Sequence, residues 1–407
     1  MPIVLLLRNK RFLARLAIHL PSTYLKGNSI WIHALSVGEV ISALPLVNAL
    51  RQKYPDRDIV FSVTTAKGMA IAKKELEGKV RVLITMPYDS WLCVRRLVSY
   101  IKPSVFVLIE TDIWPALLGY LKKRGIRTVF LNGRISPRTF RSYQRFPFFV
   151  RMVFKHIHLC LMQSDLDRDR LLQSGIGPSE KVITVGNIKF DQEWKVLGKE
   201  EQGQLHKSLG LDPTDTIWVA GSTHPGEEGI VLNVYKRLLA TIPSLRLIIA
   251  PRKVEQSYEV LRQAKQMGLT VSLKSELPKE RVHNVLILNT LGELGRIYGL
   301  AEVSFVGGSL VPFGGHNLLE PASFGCPVVF GCHTHNFVLM SEALLEAGGG
   351  ERVHDGEELY SAMRSLLRDT EKRTLMGRNA REFVQRNSGA LDRAMAYIGA
   401  NMNAVGG

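Results

Sequence analysis

The sequence predicts an α/β fold of two doubly wound domains that face a central cleft. Short apolar segments recur along the chain, and each is followed by a polar or glycine-rich turn and then by a stretch with helical periodicity. Regular alternation of strand, turn and helix indicates parallel sheets covered by helices on both faces. The alternation is interrupted at the polar residues 192–214, where we predict the linker between the domains, and then begins again. A chain of 407 residues is long enough for two such domains.

The predicted first domain covers residues 1–195, and its sheet is built from apolar segments of five or six residues. These segments are short, and most are rich in valine, isoleucine and leucine, as expected for strands buried on both faces of a parallel sheet. They cover residues 30–35, 59–63, 80–85, 104–109, 127–131, 158–162 and 181–185.

Polar side chains follow several of these strands. Glu39 lies just beyond the first strand, Glu110 follows the fourth, and Lys189 follows the last. Because ligands bind at the carboxyl ends of the strands in doubly wound sheets, we expect these residues to line one site. Glu39 also lies in the first turn of a predicted helix, where a carboxylate is a favourable cap, so helix capping is the alternative to a chemical role.

Two further carboxylates are interpreted as helix caps. Pro87-Tyr88-Asp89 is predicted to cap the helix that follows it. Asp112 is predicted to be the N-cap of the helix that begins near Trp114-Pro115, since proline is favoured in the first turn.

The predicted second domain covers residues 212–385, and its central feature is a glycine-rich block. An apolar strand at residues 301–306 leads into Gly307-Gly308-Ser309, and a short helix is expected to begin near His316 or Asn317 and to carry Glu320. Glycines let a ligand approach the backbone, and free N–H groups at a helix start attract phosphate. A carboxylate in the first turn can bind a ribose diol. This pattern is typical of a nucleotide-sugar site, and a tight structural turn is the alternative.

The remaining elements of the second domain follow the same pattern. Further strands are predicted at residues 216–220, 245–250, 284–288 and 327–330. The last helical segment, residues 386–407, is expected to cross back onto the first domain.

The charge indicates an anionic partner. The formal net charge is +16, which fits nucleic acid, anionic lipid or a phosphorylated substrate. Arginine and aromatic residues alternate over residues 134–151. This alternation suits a lipid headgroup region, and the alternatives are stacking on nucleic-acid bases or a solvated helix face.

Other classes of protein are not favoured. The four cysteines are scattered and form no CxxC pair, which indicates a reducing compartment and no structural zinc. No apolar run reaches the about 18 residues that a membrane span requires. The N-terminal segment is compatible with an amphipathic segment at a membrane interface or with an ordinary first helix.

Two tandem doubly wound domains with a nucleotide-sugar site in the second predict a GT-B glycosyltransferase. Seven motifs, in order, resemble the family of 3-deoxy-D-manno-octulosonic acid (Kdo) transferases, which act in the synthesis of the lipopolysaccharide inner core. They are His33-Ala34-Leu35-Ser36-Val37-Gly38-Glu39, Glu110-Thr111-Asp112-Ile113-Trp114-Pro115, Asn132-Gly133-Arg134-Ile135-Ser136, Gly186-Asn187-Ile188-Lys189-Phe190-Asp191, Ala250-Pro251-Arg252, Leu291-Gly292-Glu293-Leu294 and residues 307–321.

The resemblance implies a reaction. Kdo would pass from CMP-Kdo to the tetraacylated precursor of lipid A (lipid IVA), with inversion and without a metal or cofactor. Glu39 would be the general base, and Glu110 and Lys189 would stabilise the transition state. The acceptor would bind the first domain and CMP the second, on either side of the cleft. The residues that match the family's CMP-binding positions are Pro251, Arg252, Leu291, Gly292, Glu293, Asn317, Leu318, Leu319 and Glu320.

The resemblance also implies a location and partners. We expect the chain at the cytoplasmic face of the bacterial inner membrane, bound peripherally or monotopically to an anionic surface, with no nucleic-acid partner. The segment before Ile30 is short for the family's anchor, so surface association is expected rather than a transmembrane anchor. No motif sets the number of Kdo units or the oligomeric state.

Some motifs depart from the family pattern. Asp112 stands where glutamate is usual, Lys253-Val254 replaces a common His-Pro, and Pro312-Phe313 replaces a basic residue. We expect these changes to tune substrate binding without altering the reaction. Two other hypotheses stay open: a GT-B enzyme or epimerase that uses a UDP-sugar, and a nonenzymatic polyanion-binding protein on membranes or nucleic acid.

Overall fold

The computed structural model describes residues 10–18, 20–110, 113–192, 197–277 and 283–403. The chain divides into two compact units, one formed by residues 1–193 and 387–407 and the other by residues 194–386. Each unit contains one parallel sheet with helices between successive strands. The predicted fold of two doubly wound domains is therefore confirmed.

The described part of the first unit has a seven-stranded sheet in the order β3-β2-β1-β4-β5-β6-β7, and every pair is parallel. The order reverses between β1 and β4, which opens a crevice at their carboxyl ends. The strands are β1 (Ser29–Ala34), β2 (Ile59–Val63), β3 (Val82–Thr85), β4 (Pro103–Ile109), β5 (Arg127–Gly133), β6 (Leu159–Met162) and β7 (Val182–Thr184).

Helices connect these strands and bury apolar faces on both sides of the sheet. The strands are buried on both faces, and β1, β2 and β4 are buried at every position, which explains their continuous apolar sequences. The helices are α1 (Lys10–Arg15), α2 (Val37–Lys53), α3 (Ala66–Glu75), α4 (Trp91–Ile101), α5 (Pro115–Lys123), α6 (Pro137–Arg145), α7 (Pro147–Phe154) and α8 (Asp165–Gln173), with 3₁₀ turns at Ser179–Lys181 and Ile188–Asp191.

The second unit has a sheet in the order β10-β11-β9-β8-β12-β13-β14, again with parallel pairs throughout its described residues. Its order reverses between β8 and β12. The strands are β8 (Thr216–Thr223), β9 (Leu245–Pro251), β10 (Val271–Leu273), β11 (Val285–Ile287), β12 (Val303–Val306), β13 (Val328–Gly331) and β14 (Gly350–Val353).

The helices of the second unit include one inside the segment that was predicted to be a linker. α9 (Lys199–Ser208) lies within residues 192–214, so this polar stretch is partly helical. The others are α10 (Glu228–Leu239), α11 (Ser257–Gln266), α12 (Leu294–Ile297), α13 (Leu319–Ser323), α14 (Val338–Glu346), α15 (Gly356–Arg368) and α16 (Thr370–Asn387), with 3₁₀ turns at Val254–Gln256, Lys274–Glu276 and Tyr298–Leu300.

The last helix, α17 (Ala390–Asn403), packs in the first unit. Ala390, Ala394 and Ile398 are fully buried in the core that lies against β1 and β4. The carboxylate of Asp191 accepts the N–H groups of Gly389 and Leu391 and so caps this helix from the loop that follows β7. The chain therefore returns to its first sheet after completing the second.

Two predicted caps differ from the structure. Asp89 does not cap α4, whose N-cap Ser90 makes no side-chain bond. Instead, the Asp89 carboxylate accepts the N–H groups of Ala116 and Leu117, both at 2.9 Å, and caps α5 across the fold. The N-cap of α5 is Trp114, and Asp112 lies outside the described residues.

No helix among the described residues has the length and apolarity to cross a bilayer. Residues 1–9 of the N-terminal segment lie outside the described part, and its described remainder contains the short helix α1, where Phe12 packs against the ring of Tyr88. All four cysteines are free, and Cys93, Cys160 and Cys326 are buried.

Candidate active site

Glu39 lies at the reversal point of the first sheet, in the first turn of α2. Its carboxylate accepts the backbone N–H of Leu35 at 2.6 Å and lies 3.4 Å from the hydroxyl of Ser36, the N-cap residue. Ser36 accepts the N–H of Glu39 in return. The residue is buried. Ser36 therefore caps α2, while the bonds from Leu35 and Ser36 fix the orientation of the Glu39 carboxylate.

Glu110 and Lys189, which are 79 positions apart, form an ion pair at the same edge of the sheet. Lys189 Nζ lies 2.7 Å from Glu110 Oε1. The same oxygen accepts the amide of Asn132 at 3.3 Å and lies 3.5 Å from the hydroxyl of Ser42 on α2. Glu110 follows β4 with a φ of +63°, an uncommon conformation for a side chain of its size. The structure thus brings two of the predicted residues into direct contact.

Asn132, which belongs to the motif Asn132-Gly133-Arg134-Ile135-Ser136 but was not predicted as a site residue, connects the strand ends. Asn132 is fully buried and has a φ of +59°, a left-handed conformation that asparagine tolerates. The side-chain oxygen accepts the N–H of Ile188 at 3.2 Å, while its amide donates to Glu110. Asn132 therefore links Glu110 to the loop that carries Lys189. In the sequence, the signal that could have indicated Asn132 as a site residue is its place as a polar residue at the end of an apolar strand.

The glycine block lies at the reversal point of the second sheet, directly after β12. A Cβ added to Gly307 would lie 2.6 Å from the carbonyl oxygen of Ser222, so only glycine fits there. Gly308, Gly314 and Gly315 have φ values of +69°, +96° and +77°, which favour glycine. This part of the prediction, a turn that needs glycine, agrees with the structure.

The N–H groups of this turn are not free. The buried carboxylate of Glu227 accepts those of Gly308, Ser309 and Leu310, at 2.6, 2.9 and 2.8 Å. These three N–H groups are therefore used by an internal anion, whereas the phosphate binding predicted at the start of the helix near His316 or Asn317 stays a prediction. The helix also begins later than predicted, at Leu319, and has only five residues.

Two histidines pack against the turn. His224, after β8, and His316, after the glycines, share a hydrogen bond of 2.8 Å between their Nε2 atoms, and the ring of Phe313 stacks on His224. Burial lowers the pKa of His316 to about 4, with smaller contributions from Arg252 and His224. Burial likewise lowers the pKa of His224. The pair is therefore neutral at neutral pH, with one ring donating and the other accepting.

The positive charge of Arg252 acts on both His316 and Glu320. Burial raises the pKa of Glu320 to about 7, and the positive charge of Arg252 opposes this shift. Arg252 is exposed, and its N–H donates to the carbonyl of Thr223, which fixes the end of β9 beside that of β8. An exposed guanidinium beside a buried carboxyl can bind phosphate and hydroxyl groups of one ligand.

The other predicted donor-binding residues follow strands of the same sheet, and their roles stay predictions. Pro251 ends β9, and Asn317 accepts the N–H of Leu319. Leu318 and Leu319 are buried, so they can offer only backbone groups. After β11, Leu291 is 72% exposed, Gly292 has a φ of +87°, and Glu293 accepts the hydroxyl of Thr290.

No group of three or more histidine, cysteine, aspartate or glutamate side chains in the described ranges is placed to hold a metal ion. The positive charge that these sites offer to an anion comes from Lys189 and Arg252.

Known proteins resemble this chain in sequence and in fold. A family model described as 3-deoxy-D-manno-octulosonic-acid transferase (kdotransferase) matches residues 10–192. The 3-deoxy-D-manno-octulosonic acid transferase of Haemophilus influenzae is 35% identical over 373 residues, which are 91% of this chain and 86% of the relative. That of Chlamydia muridarum is 30% identical over 375 residues, 91% of this chain and 85% of the relative.

Among solved structures, a putative UDP-N-acetylglucosamine 2-epimerase from Listeria monocytogenes superposes with a TM-score of 0.64. It covers 93% of this chain and 97% of its own, at 14% sequence identity. This similarity concerns the fold alone.

Proposed function

Because the chain belongs to the family of 3-deoxy-D-manno-octulosonic acid (Kdo) transferases, we propose that it transfers Kdo from CMP-Kdo to the lipid A precursor lipid IVA, with inversion at the anomeric carbon. The observation that carries the proposal is the cluster of Glu39, Glu110 and Lys189 at the reversal point of a sheet that matches this family. Sugar transfer needs a base and positive charge, and the cluster offers both.

Glu39 acts as the general base. An acceptor hydroxyl attacks the anomeric carbon, its proton passes to the Glu39 carboxylate, and the bond to the CMP phosphate breaks with its electron pair on CMP. The N–H of Leu35 and the hydroxyl of Ser36 hold the carboxylate in place before reaction. A base fixed in this way needs no reorganisation when the proton moves.

Lys189 offsets negative charge that develops on the departing phosphate or lies on the Kdo carboxylate. Glu110, at 2.7 Å, keeps the ammonium group in position, and Asn132 keeps Glu110 in position. The pair thus supplies a fixed dipole rather than a mobile cation.

The second unit binds the nucleotide. Arg252 contacts the phosphate, Glu320 binds the ribose hydroxyls, and the loop at Leu291 to Glu293 contacts the remainder of CMP. Since the N–H groups of the glycine turn bond to Glu227, the phosphate is bound by Arg252 rather than by these groups. We also propose that the reaction needs no metal or cofactor, because Lys189 and Arg252 can meet the charge of the leaving group.

The protein acts at the cytoplasmic face of the inner membrane, bound peripherally or monotopically to an anionic surface. Phe146, Phe148 and Phe149, at and after the end of α6, are exposed, and Phe148 is 80% exposed. Arg141 and Arg145 lie beside them on the surface. Exposed rings beside cations suit a lipid headgroup region, where the acyl chains of the acceptor also lie.

A coupled assay tests the proposal. CMP-Kdo is generated in situ, lipid IVA is supplied in detergent micelles, and product mass is measured for the wild type and Glu39→Ala. We expect transfer by the wild type, loss in the variant, and unchanged CMP binding by both. Absence of both transfer and CMP binding in folded wild type would favour a UDP-sugar enzyme, which a screen of UDP-sugars would detect. If Glu39→Ala bound anionic vesicles and no donor supported catalysis, a nonenzymatic polyanion-binding protein would be favoured.

A further inference from the structure

Glu227 has no part in the proposed chemistry, yet it makes more backbone bonds than any carboxylate described above. It lies between β8 and α10 and is fully buried. One oxygen accepts the N–H groups of His224 (3.0 Å) and Gly308 (2.6 Å), and the other accepts those of Ser309 (2.9 Å) and Leu310 (2.8 Å).

These four bonds fill the acceptor capacity of an ionised carboxylate, which has about four lone-pair sites. Each bond is assisted by the negative charge. Three of the donors are consecutive, and consecutive N–H groups converge on one point only in a turn of defined shape. The Glu227 carboxylate therefore specifies the conformation of residues 308–310.

A second anchor holds the same turn. The hydroxyl of Ser309, fully buried, donates to the carbonyl of Val306 and accepts the N–H of Gly331 at 2.8 Å. This anchor is independent of Glu227, because it uses the side chain of Ser309 and not its N–H. It gives a separate way to disturb the turn.

The turn contacts the histidine pair. A Cβ added to Gly308 would lie 3.0 Å from Cδ2 of His316 and 3.3 Å from Cδ2 of His224. Glu227 also accepts the N–H of His224, so one carboxylate fixes the backbone of His224 and that of Gly308, which lies against the two bonded rings. His316 in turn opens the segment that carries Glu320.

We infer that Glu227 is a positioning residue that, through the glycine turn and the histidine pair, sets the affinity of the second unit for the nucleotide half of the donor. The inference rests on the proposed function, because it takes CMP as the ligand. Glu227 itself does not touch the ligand, since its oxygens are used by the backbone.

The test substitutes Glu227→Gln in the full-length protein and measures CMP binding by calorimetry and the KM and kcat for CMP-Kdo. Glutamine keeps the shape, but its NH₂ group faces two N–H donors. We expect CMP to bind at least about tenfold more weakly, the effect of leaving a buried donor unpaired. KM should rise while kcat stays within about twofold, because the turn acts on binding rather than on the chemical step.

Glu302→Gln is the matched control. Glu302 is a partly buried carboxylate that, like Glu227, accepts a backbone N–H, in its case from Ile217, but it precedes β12 and lies at the opposite end of the sheet. It should lower the melting temperature while leaving CMP binding unchanged. If Glu302→Gln weakened CMP binding as much as Glu227→Gln did, general destabilisation would explain the result and the inference would be wrong.

The remaining outcomes are separable. Wild-type protein that does not bind CMP would refute the proposed function itself. Wild-type binding with an unchanged Glu227→Gln would refute the inference alone. If Glu227→Gln does not fold, Ser309→Ala disturbs the same turn through its other anchor. Weaker CMP binding by that variant would support the inference, and wild-type affinity would overturn it.

Discussion

Replacing Lys189 with methionine removes the cation beside Glu110 and keeps most of the side-chain stem. At 2.7 Å, Coulomb's law with an effective dielectric constant of about 20 gives about 6 kcal/mol of gross attraction, most of which desolvation offsets. The side chains of Lys189 and Glu110 are 29% and 14% exposed, so the net value should lie between that of a surface pair and that of a buried pair. We expect Lys189→Met to lower the free energy of unfolding by about 2 kcal/mol, which corresponds to a fall of about 4–8 °C in the melting temperature of the first unit.

A double-mutant cycle isolates this interaction. Thermal unfolding is measured for Lys189→Met, Glu110→Gln and the double variant. The coupling energy between the two residues should be about 2 kcal/mol, so the double variant should be more stable than the sum of the two single losses predicts. Transfer by Lys189→Met should fall by about 10²–10³, as for loss of one preorganised charged donor. Additive single losses would refute the reasoning, since they would mean that the two side chains do not interact in solution.

Three further predictions concern other residues. Glu39→Gln should lower kcat by about 10²–10⁴-fold and leave CMP affinity unchanged, because glutamine keeps the shape of the glutamate side chain but cannot accept the proton. Steady-state kinetics and calorimetry test this prediction, and a variant that retained kcat would exclude Glu39 as the base. Because the pKa of Glu320 is raised to about 7, the folded state holds the proton of this carboxyl more tightly than the unfolded state does. The protonated carboxyl should therefore contribute fully to the free energy of unfolding below pH 4.5, and this contribution should be lost as the pH rises towards about 7. The free energy of unfolding should fall by at most about 3 kcal/mol over this pH range, and the Glu320→Gln variant should not show the fall. Denaturant titrations at several pH values measure this. Asp89→Ala should speed hydrogen exchange at Ala116 and Leu117 and cost about 1 kcal/mol; faster exchange at the start of α4 instead would contradict the observed cap.

The sequence predicted most strands because a parallel sheet covered on both faces requires continuous apolar segments. Of the fourteen strands in the described parts of the chain, twelve were placed within a few residues of their observed bounds, and the two that were missed are β10 and β14. Both are short edge strands, at opposite ends of the second sheet. β14 contains Glu351 and Arg352 and is only partly buried at most positions. An edge strand needs no continuous apolar run, so its sequence carries a weaker signal.

Helix α9 was missed for a related reason. Its ten residues include no buried side chain, so the periodic apolar stripe by which a helix is recognised is absent. The caps were misassigned because capping was assumed to be local. Asp89 instead reaches a helix that begins more than twenty positions later, and nothing in the spacing of the two segments indicates this contact.

The sequence by itself determined the two doubly wound units, the glycine turn and the set of polar residues that end the strands, because each follows from local patterns of burial and backbone conformation. Only the tertiary structure decided which of those residues meet. Lys189 reaches Glu110, Asn132 joins them, and Glu227 takes the N–H groups of the glycine turn. Lys189 and Glu110 are 79 positions apart, and Glu227 and Gly308 are 81 apart. Such contacts depend on the order in which the strands pair, and strand order is a property of the whole sheet rather than of any segment.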